Sequence, residues 1–372
     1  MENIIFLTLD LVYPDDTGGR KLSLGRILYE QERGNRVTVI HYNLKNQVED
    51  EAVLFFKERD IPFYSFNKNK KQSICSRLFG YLKSFINKIP EPSYLINKDK
   101  DFNYFLDDKI KEIKPTLVSI ESIFLVGVGS LLQSRMVNRN YTFHNVESSF
   151  YYSLFVSDKK IIKKIHYLIQ SYLLKTVEKD IFNSTGDVTF TFLSKNDMSE
   201  YQKKYIINSD RCLINHNHLN VTQKIERNIN HVEPFYLFAG SLDFPANSYA
   251  IRKLLDTPGV NWDFLPKIII TGTVSDSTRK MFSGYKNINL VGRVNDNELN
   301  ELFATCLASI SPILTGGGIK IKNLEALKLG VPLIATDFSC IGIDVKSESV
   351  ILTENDPASF YKAMVDYYKN NG

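Results

Sequence analysis

Residues 315–322 read Thr-Gly-Gly-Gly-Ile-Lys-Ile-Lys, with Glu325 three residues further on. The SPI before this segment has the character of a strand end, and the NLEALKLG that follows reads as a short helix, so the loop feeds a helix N-terminus. Gly316, Gly317 and Gly318 leave backbone N–H groups approachable, and a helix start carries partial positive charge; together they suit an anion. Lys320 and Lys322 add two full charges. In an extended loop their side chains share one side and could meet one diphosphate; in a continuous helix they would diverge by about 200°. Glu325, just inside the helix, is placed to accept hydrogen bonds from vicinal hydroxyls such as those of a ribose. Taken alone, the residues also allow a plain glycine-rich connection with solvated lysines. Neither GxxxxGK(S/T) nor GxGxxG occurs, so a P-loop NTPase and a Rossmann dehydrogenase are unsupported.

Other chemistry-bearing residues are dispersed. His144, followed by Asn145 and Glu147, stands at a strand end where it could reach sugar hydroxyls; a histidine satisfied in the core is the rival. Arg293 follows Gly292 and could stack on a base, reach a phosphate or simply be solvated. Gly18 and Gly19, after Asp15 and Asp16, allow close approach of backbone to a ligand, or form a tight turn. His216 and His218 alternate like strand side chains without a third ligand nearby, and the cysteines at 75, 212, 306 and 340 form no CxxC pair. No metal and no other cofactor is expected.

These residues must be positioned by α/β elements. NIIFLTL (3–9), a turn-rich YPDDTGGR, a helix closed by Gly34 and the strand VTVIHY make a βαβ unit and imply a parallel sheet. LVSIES, NYTFHNVE and DVTFTFLS continue it, and the polar 220–234 reads as a linker. The pattern then restarts: FYLFAGSL, NSYAIRKLL, KIIITGT, INLVGRV, NDNELNELFATC, LASISPI, the glycine loop, NLEALKLG, VPLIAT and a terminal helix with Asp356 as N-cap. The organisation predicted is a domain over 1–225 and a second over 226–372, both doubly wound, with a cleft facing the carboxyl ends of both sheets; the terminal helix could pack back on the first domain.

Composition is ordinary for a globular chain of 372 residues, 43% hydrophobic and 24% charged. A net charge of +4 suits phosphorylated small molecules or an anionic membrane but is too weak to point to nucleic acid. The dispersed cysteines, the acidic Glu2 and Asp10 near the start and the lack of an 18-residue apolar run predict a cytoplasmic protein that is neither secreted nor membrane-spanning. Two basic amphipathic stretches, 67–90 and 157–180, read as surface helices with solvated lysine faces or as contacts with the inner face of a membrane.

Over 235–345 the chain resembles the donor-binding region of GT-B glycosyltransferases, family 4 in particular, whose motif runs roughly GGGxxxKxxEAxxxGxPxxxT. Gly316, Gly317, Gly318, Lys322, Glu325, Ala326, Gly330, Pro332 and Thr336 match it. FAGSLDFPANSYAIRKLL, with Gly240, is similar to the family's strand, glycine turn and helix start, and LVGRVNDNELNELFATC to its base-contacting strand and loop. Agreement is looser at PDDTGGRKLSLGRILYEQE, HNVES and FLSKND. Where many members carry the first of two glutamates eight residues apart, this chain has Gly317, and NHNHLN replaces the familiar NGVD.

The resemblance implies a GT-B fold of two Rossmann-like domains and transfer of a hexose or similar sugar from a nucleotide donor, UDP- or GDP-type, to a saccharide or lipid-linked saccharide acceptor, with retention. It implies Lys322, then Lys320, and His144 as catalytic, and Gly240, Arg293, Thr315, Gly316, Gly317, Gly318 and Glu325 as donor-binding. Gly18 and Gly19 fall in the cleft loop. An inverting route would want Asp15, Asp16 or Glu147 as general base. A nucleotide-sugar epimerase and a catalytically silent partner of an active transferase are the alternatives, the latter kept open by Gly317.

Overall fold

In the computed structural model, which describes residues 1–15, 17–44, 47–67, 83–158, 160–214, 224–229, 233–343, 345 and 349–372, the strands form two parallel sheets. The first holds β1 (Asn3–Thr8), β2 (Arg36–Asn43), β3 (Phe63–Asn67), β4 (Leu117–Ile120), β5 (Asn138–Phe143), β6 (Val188–Phe192) and β7 (Cys212–Ile214), in the order β3-β2-β1-β4-β5-β6-β7. The second holds β8 (Phe235–Ala239), β9 (Lys267–Thr271), β10 (Ile288–Gly292), β11 (Ala308–Ser311), β12 (Leu333–Thr336) and β13 (Val350–Thr353), in the order β10-β9-β8-β11-β12-β13. The chain clusters into two compact units, Met1–Tyr152 with Ile165–Asn220 and Ser153–Lys164 with Val221–Gly372.

The central strands are near-continuous apolar runs because helices cover both faces of a parallel sheet. β1 buries Ile4, Ile5, Phe6 and Leu7 while registering Ile5 against Thr38 of β2 and Val118 of β4. In the same unit Phe143, Phe182, Phe190, Phe192 and Tyr201 form an aromatic nest, with Phe143 and Phe192 stacked at 5.3 Å. Truncating Phe192 to alanine there would cost about 3–5 kcal/mol. In the second unit the helix Pro357–Asn371 starts at its Asp356 cap, which accepts from Ser359 N–H at 2.8 Å, and drives Phe360 and Met364 into that unit's core. Tyr236 Oη of β8 donates to Met364 O at 2.6 Å, tying the helix to the sheet.

Strand order reverses once in each sheet, between β1 and β4 and between β8 and β11. In open α/β sheets the carboxyl edge at such a reversal is the usual ligand position. Two helix starts differ from the sequence reading. The helix Gly18–Glu32, capped by Thr17, takes both glycines into its first turn, and the helix Ile321–Lys328 begins two residues before NLEALKLG. Asp16, Cys75, His216, His218, most of the 67–90 stretch and part of the 220–234 linker lie outside the described residues.

Candidate functional site

In the second unit four loops meet the carboxyl edge of the sheet: those after β8, β9, β10 and β11. The loop after β11 needs its glycines, since Gly316 (φ +120°) and Gly318 (φ +64°) adopt backbone that L side chains rarely take. Lys320 is the N-cap of the following helix, in extended conformation, and its ammonium folds back to donate to the carbonyls of Gly317 (3.0 Å) and Gly318 (2.9 Å). It thereby staples the loop.

Lys322, in the first turn, goes another way. Its Nζ crosses the reversal point to β8, lying 3.8 Å from the centroid of the Phe238 ring and donating to Asn247 Oδ1 at 3.4 Å. The two lysines therefore do not lie side by side on one face of an extended loop: the helix starts too early for that. Gly240 makes room for the ammonium, since a Cβ there would stand 3.2 Å from Lys322 Nζ and 3.1 Å from Asn247 Nδ2. Asn247 is itself held by donating to Ser241 O at 2.8 Å. Burial first, and then the charge of Lys320, pull the Lys322 pKa well below the ordinary lysine range. No carboxylate pairs with Lys322 among the described residues.

Around it, Thr315 Oγ1 is buried without a hydrogen-bond partner and Glu325 is buried on the fifth residue of the helix. Gly272 (φ +100°) presses its loop against that after β8; a Cβ would come 2.6 Å from Ser241 N. Asp243 accepts from Ser275 N–H and Oγ–H and from Thr278 Oγ–H (2.6 Å), binding the β8 and β9 loops together. Arg293 is exposed at the end of β10, two strands from β8.

The first unit assembles a second constellation at its own reversal point. Glu121, just past β4, is buried and accepts from Arg26 Nη1 (2.6 Å), Ser119 Oγ (2.8 Å) and Ser23 Oγ (3.4 Å). Burial alone would raise its pKa; Arg26, His144 and Ser119 outweigh it and hold it at about 2. His144, one residue beyond β5, sets Nε2 3.7 Å from Glu121 Oε2 and 3.5 Å from Ser23 Oγ, while its Nδ1 is buried without a partner. Glu147 opens the helix Glu147–Ser157; burial raises its pKa to about 7 against the opposing hydrogen bond from Asn145. Gly19 borders open space, since a Cβ there would meet nothing within 4 Å. Asp15 lies in the loop before that helix.

Sequence reasoning missed Glu121, Arg26, Ser23, Phe238, Asn247 and Gly272. Among them Asn247 carries a signal, its place after Pro245 and Ala246 at a helix start that resembles the family's pattern. Among the described residues no group of three or more His, Cys, Asp or Glu is placed to hold a metal ion, and no helix is long and apolar enough to cross a membrane.

Comparison with known proteins agrees with this geometry. Residues 233–370 match the family model Glycosyl transferases group 1. An uncharacterised 44.6 kDa protein of the cps region of Klebsiella pneumoniae is 27% identical, over all of this chain and 92% of its own length. Sucrose-phosphate synthase from Thermosynechococcus elongatus superposes with TM-score 0.64 at 12% identity, covering 100% of this chain and 95% of that one. A point mutant of S. aureus TarM, in complex with Fondaparinux, alpha-GlcNAc-glycerol and UDP, gives 0.62 at 9% identity, covering 100% and 93%. At such identities the structural matches speak for the fold alone. Residues 233–370 are thus similar to the group 1 glycosyl transferases, and the chain has a GT-B fold of two Rossmann-like units.

Proposed function

We propose that this chain transfers a sugar from a nucleotide-sugar donor to a saccharide acceptor. The observation that carries the reading is Lys322: a cation held at the reversal point of the second sheet, beside a glycine loop and a helix N-terminus, with an aromatic face and an amide for company and no carboxylate among the described residues. A nucleoside diphosphate supplies the missing negative charge. As the bond between the anomeric carbon and the diphosphate oxygen breaks, charge grows on that oxygen, and Lys322 with the loop N–H groups stabilises it. Lys320 keeps the loop in shape. Asn247 and Gly240 aim the ammonium, and Glu325, Thr315 and Arg293 complete the donor contacts. UDP, bound by TarM in its complex, is the first nucleotide to try.

The acceptor hydroxyl oxygen forms the new bond to the anomeric carbon. In the retaining route its proton passes to the leaving diphosphate; in an inverting route Glu147, with its pKa near 7, can take the proton. His144, oriented by Glu121, offers its imidazole to sugar hydroxyls, and a surface polysaccharide as acceptor is a reading that the cps-region relative supports.

The test is turnover. The protein is incubated with UDP- and GDP-sugars, and the donor pool is analysed by mass spectrometry with and without oligosaccharide acceptors. Transfer, or slow release of nucleoside diphosphate by hydrolysis, supports the reading, and epimerised donor assigns the chain to epimerases. A second reading, a silent partner of an active transferase, is favoured by Gly317 in place of an acidic residue. Silence toward every donor despite nucleotide binding would select it.

A further inference from the structure

The helix Ile161–Phe182 is amphipathic in reverse. Its inward face buries Leu173, Leu174, Val177 and Ile181, as a helix packed on a sheet should. The opposite face carries, at helical spacing, Ile161 (74% exposed), Ile162 (84%), Ile165 (55%), Leu168 (45%), Ile169 (36%) and Tyr172 (56%). At about 100° per residue these six fall within one sector of the helix, so they form a continuous apolar stripe along three turns. Scattered exposed apolar residues are normal on a surface; a contiguous stripe of this kind marks a binding face.

Charge around the stripe identifies its occupant. Lys164 borders the stripe at the head of the helix, and Lys175 and Lys179 follow, exposed, along the stripe's own side. Against them stand Asp158 and Asp180, while Glu178 points inward, its carboxylate taken by Ser148 and by the hydroxyls of Tyr201 and Tyr205. Pairing with a second copy over this face would set one lysine cluster against another. A surface of anionic headgroups over acyl chains matches both the lysines and the isoleucines.

We propose that this face docks peripherally on an anionic lipid surface, with the isoleucine stripe entering the headgroup boundary and the flanking lysines pairing with phosphate. The proposal stands apart from the transfer reading, because it is measured without donor or acceptor.

Full-length protein is sedimented with vesicles of phosphatidylcholine alone and of equal parts phosphatidylcholine and phosphatidylglycerol. Binding to the anionic vesicles only, weakened by salt, is expected. Ile165→Glu with Leu168→Glu should abolish pelleting. Replacement of Lys164, Lys175 and Lys179 by Gln should weaken it by about a hundredfold, at about fivefold per lysine. Circular dichroism melts establish that the variants fold; should the glutamate variant not fold, the glutamine variant decides alone. No pelleting with anionic vesicles, or pelleting that the substitutions leave unchanged, overturns the proposal. So does a dimer in light scattering that the same substitutions split, which would give the face to a second copy.

Discussion

Lys322→Met keeps the aliphatic stem that lies over Phe238 and removes the charge. Two effects of opposite sign are expected. The folded protein holds this lysine below its ordinary pKa, so the unfolded chain binds its proton more readily, and the charged group weakens the fold. The penalty is full at pH values below the folded pKa and fades as the pH climbs toward the ordinary value of 10.5. Replacing a half-buried, poorly compensated polar group by an apolar one of similar length gains on the order of 1 kcal/mol. Without nucleotide the Met variant should therefore melt about 2–4 °C higher than the wild type at neutral pH. The gap should close near pH 10.

In the presence of donor the order reverses. A ligand at 100 times its dissociation constant adds about 2.7 kcal/mol to the stability of the wild type, and the variant should show little of that rise. Turnover should fall by about 100- to 1,000-fold, the loss that follows removal of one donor aimed at developing charge. Differential scanning calorimetry across pH with and without UDP reads the stability terms, and steady-state kinetics reads the last. A variant that melts lower than the wild type and still shifts with nucleotide would refute the assignment, because Lys322 would then be a structural cation.

Glu121→Gln strands the Arg26 guanidinium without its carboxylate and should destabilise the first unit by about 3–5 kcal/mol. Since the folded-state pKa of Glu121 is depressed to about 2, its stabilisation is present above 4.5 and lost as the pH falls toward 2; the variant's acid melting curve should lack that segment. Gly240→Ala should lower the melting temperature only slightly and weaken nucleotide binding about tenfold or more, because two of its three tight contacts, at 3.1 and 3.2 Å, fall on the side-chain ends of Asn247 and Lys322, and the third, at 3.3 Å, on the Phe238 ring. Gly272→Ala, whose Cβ meets backbone at 2.6 Å, should instead lower the melting temperature itself, and thermal shifts of the pair compared in parallel decide between the two effects.

The loop that feeds a helix was legible in the sequence because its signals are local: glycines, lysines and an amphipathic run within a dozen residues. The divergence of Lys320 from Lys322 was not. It depends on the helix beginning at Ile321 without a side-chain cap, a boundary that propensity does not set, and on β8 lying beside β11, which only strand order brings about. Glu121 was hidden for the same reason. LVSIES reads as an ordinary strand, and the arginine that makes its carboxylate tolerable lies 95 residues earlier. Short or edge elements such as β7 and β13 carry too few residues for a period to show.

Both sheets bring a cation to the place where strand order reverses, and the difference between the two cations separates the roles of the units. Arg26 is answered by Glu121 at 2.6 Å, and Ser119, Thr142 and Ser23 satisfy the rest of that carboxylate, so the first constellation is closed on itself in charge. What it leaves toward a ligand is an imidazole, suited to neutral hydroxyls. Lys322 meets an amide oxygen and a ring face, neither of which carries a full negative charge, at a desolvation cost that no carboxylate among the described residues offsets. A fold keeps such a cost where function uses it. Under the transfer reading proposed above, this contrast puts the diphosphate at the second sheet and the uncharged sugar hydroxyls at the first. That division rests on the pairing of two side chains, Arg26 with Glu121 and Lys322 with an amide and a ring face.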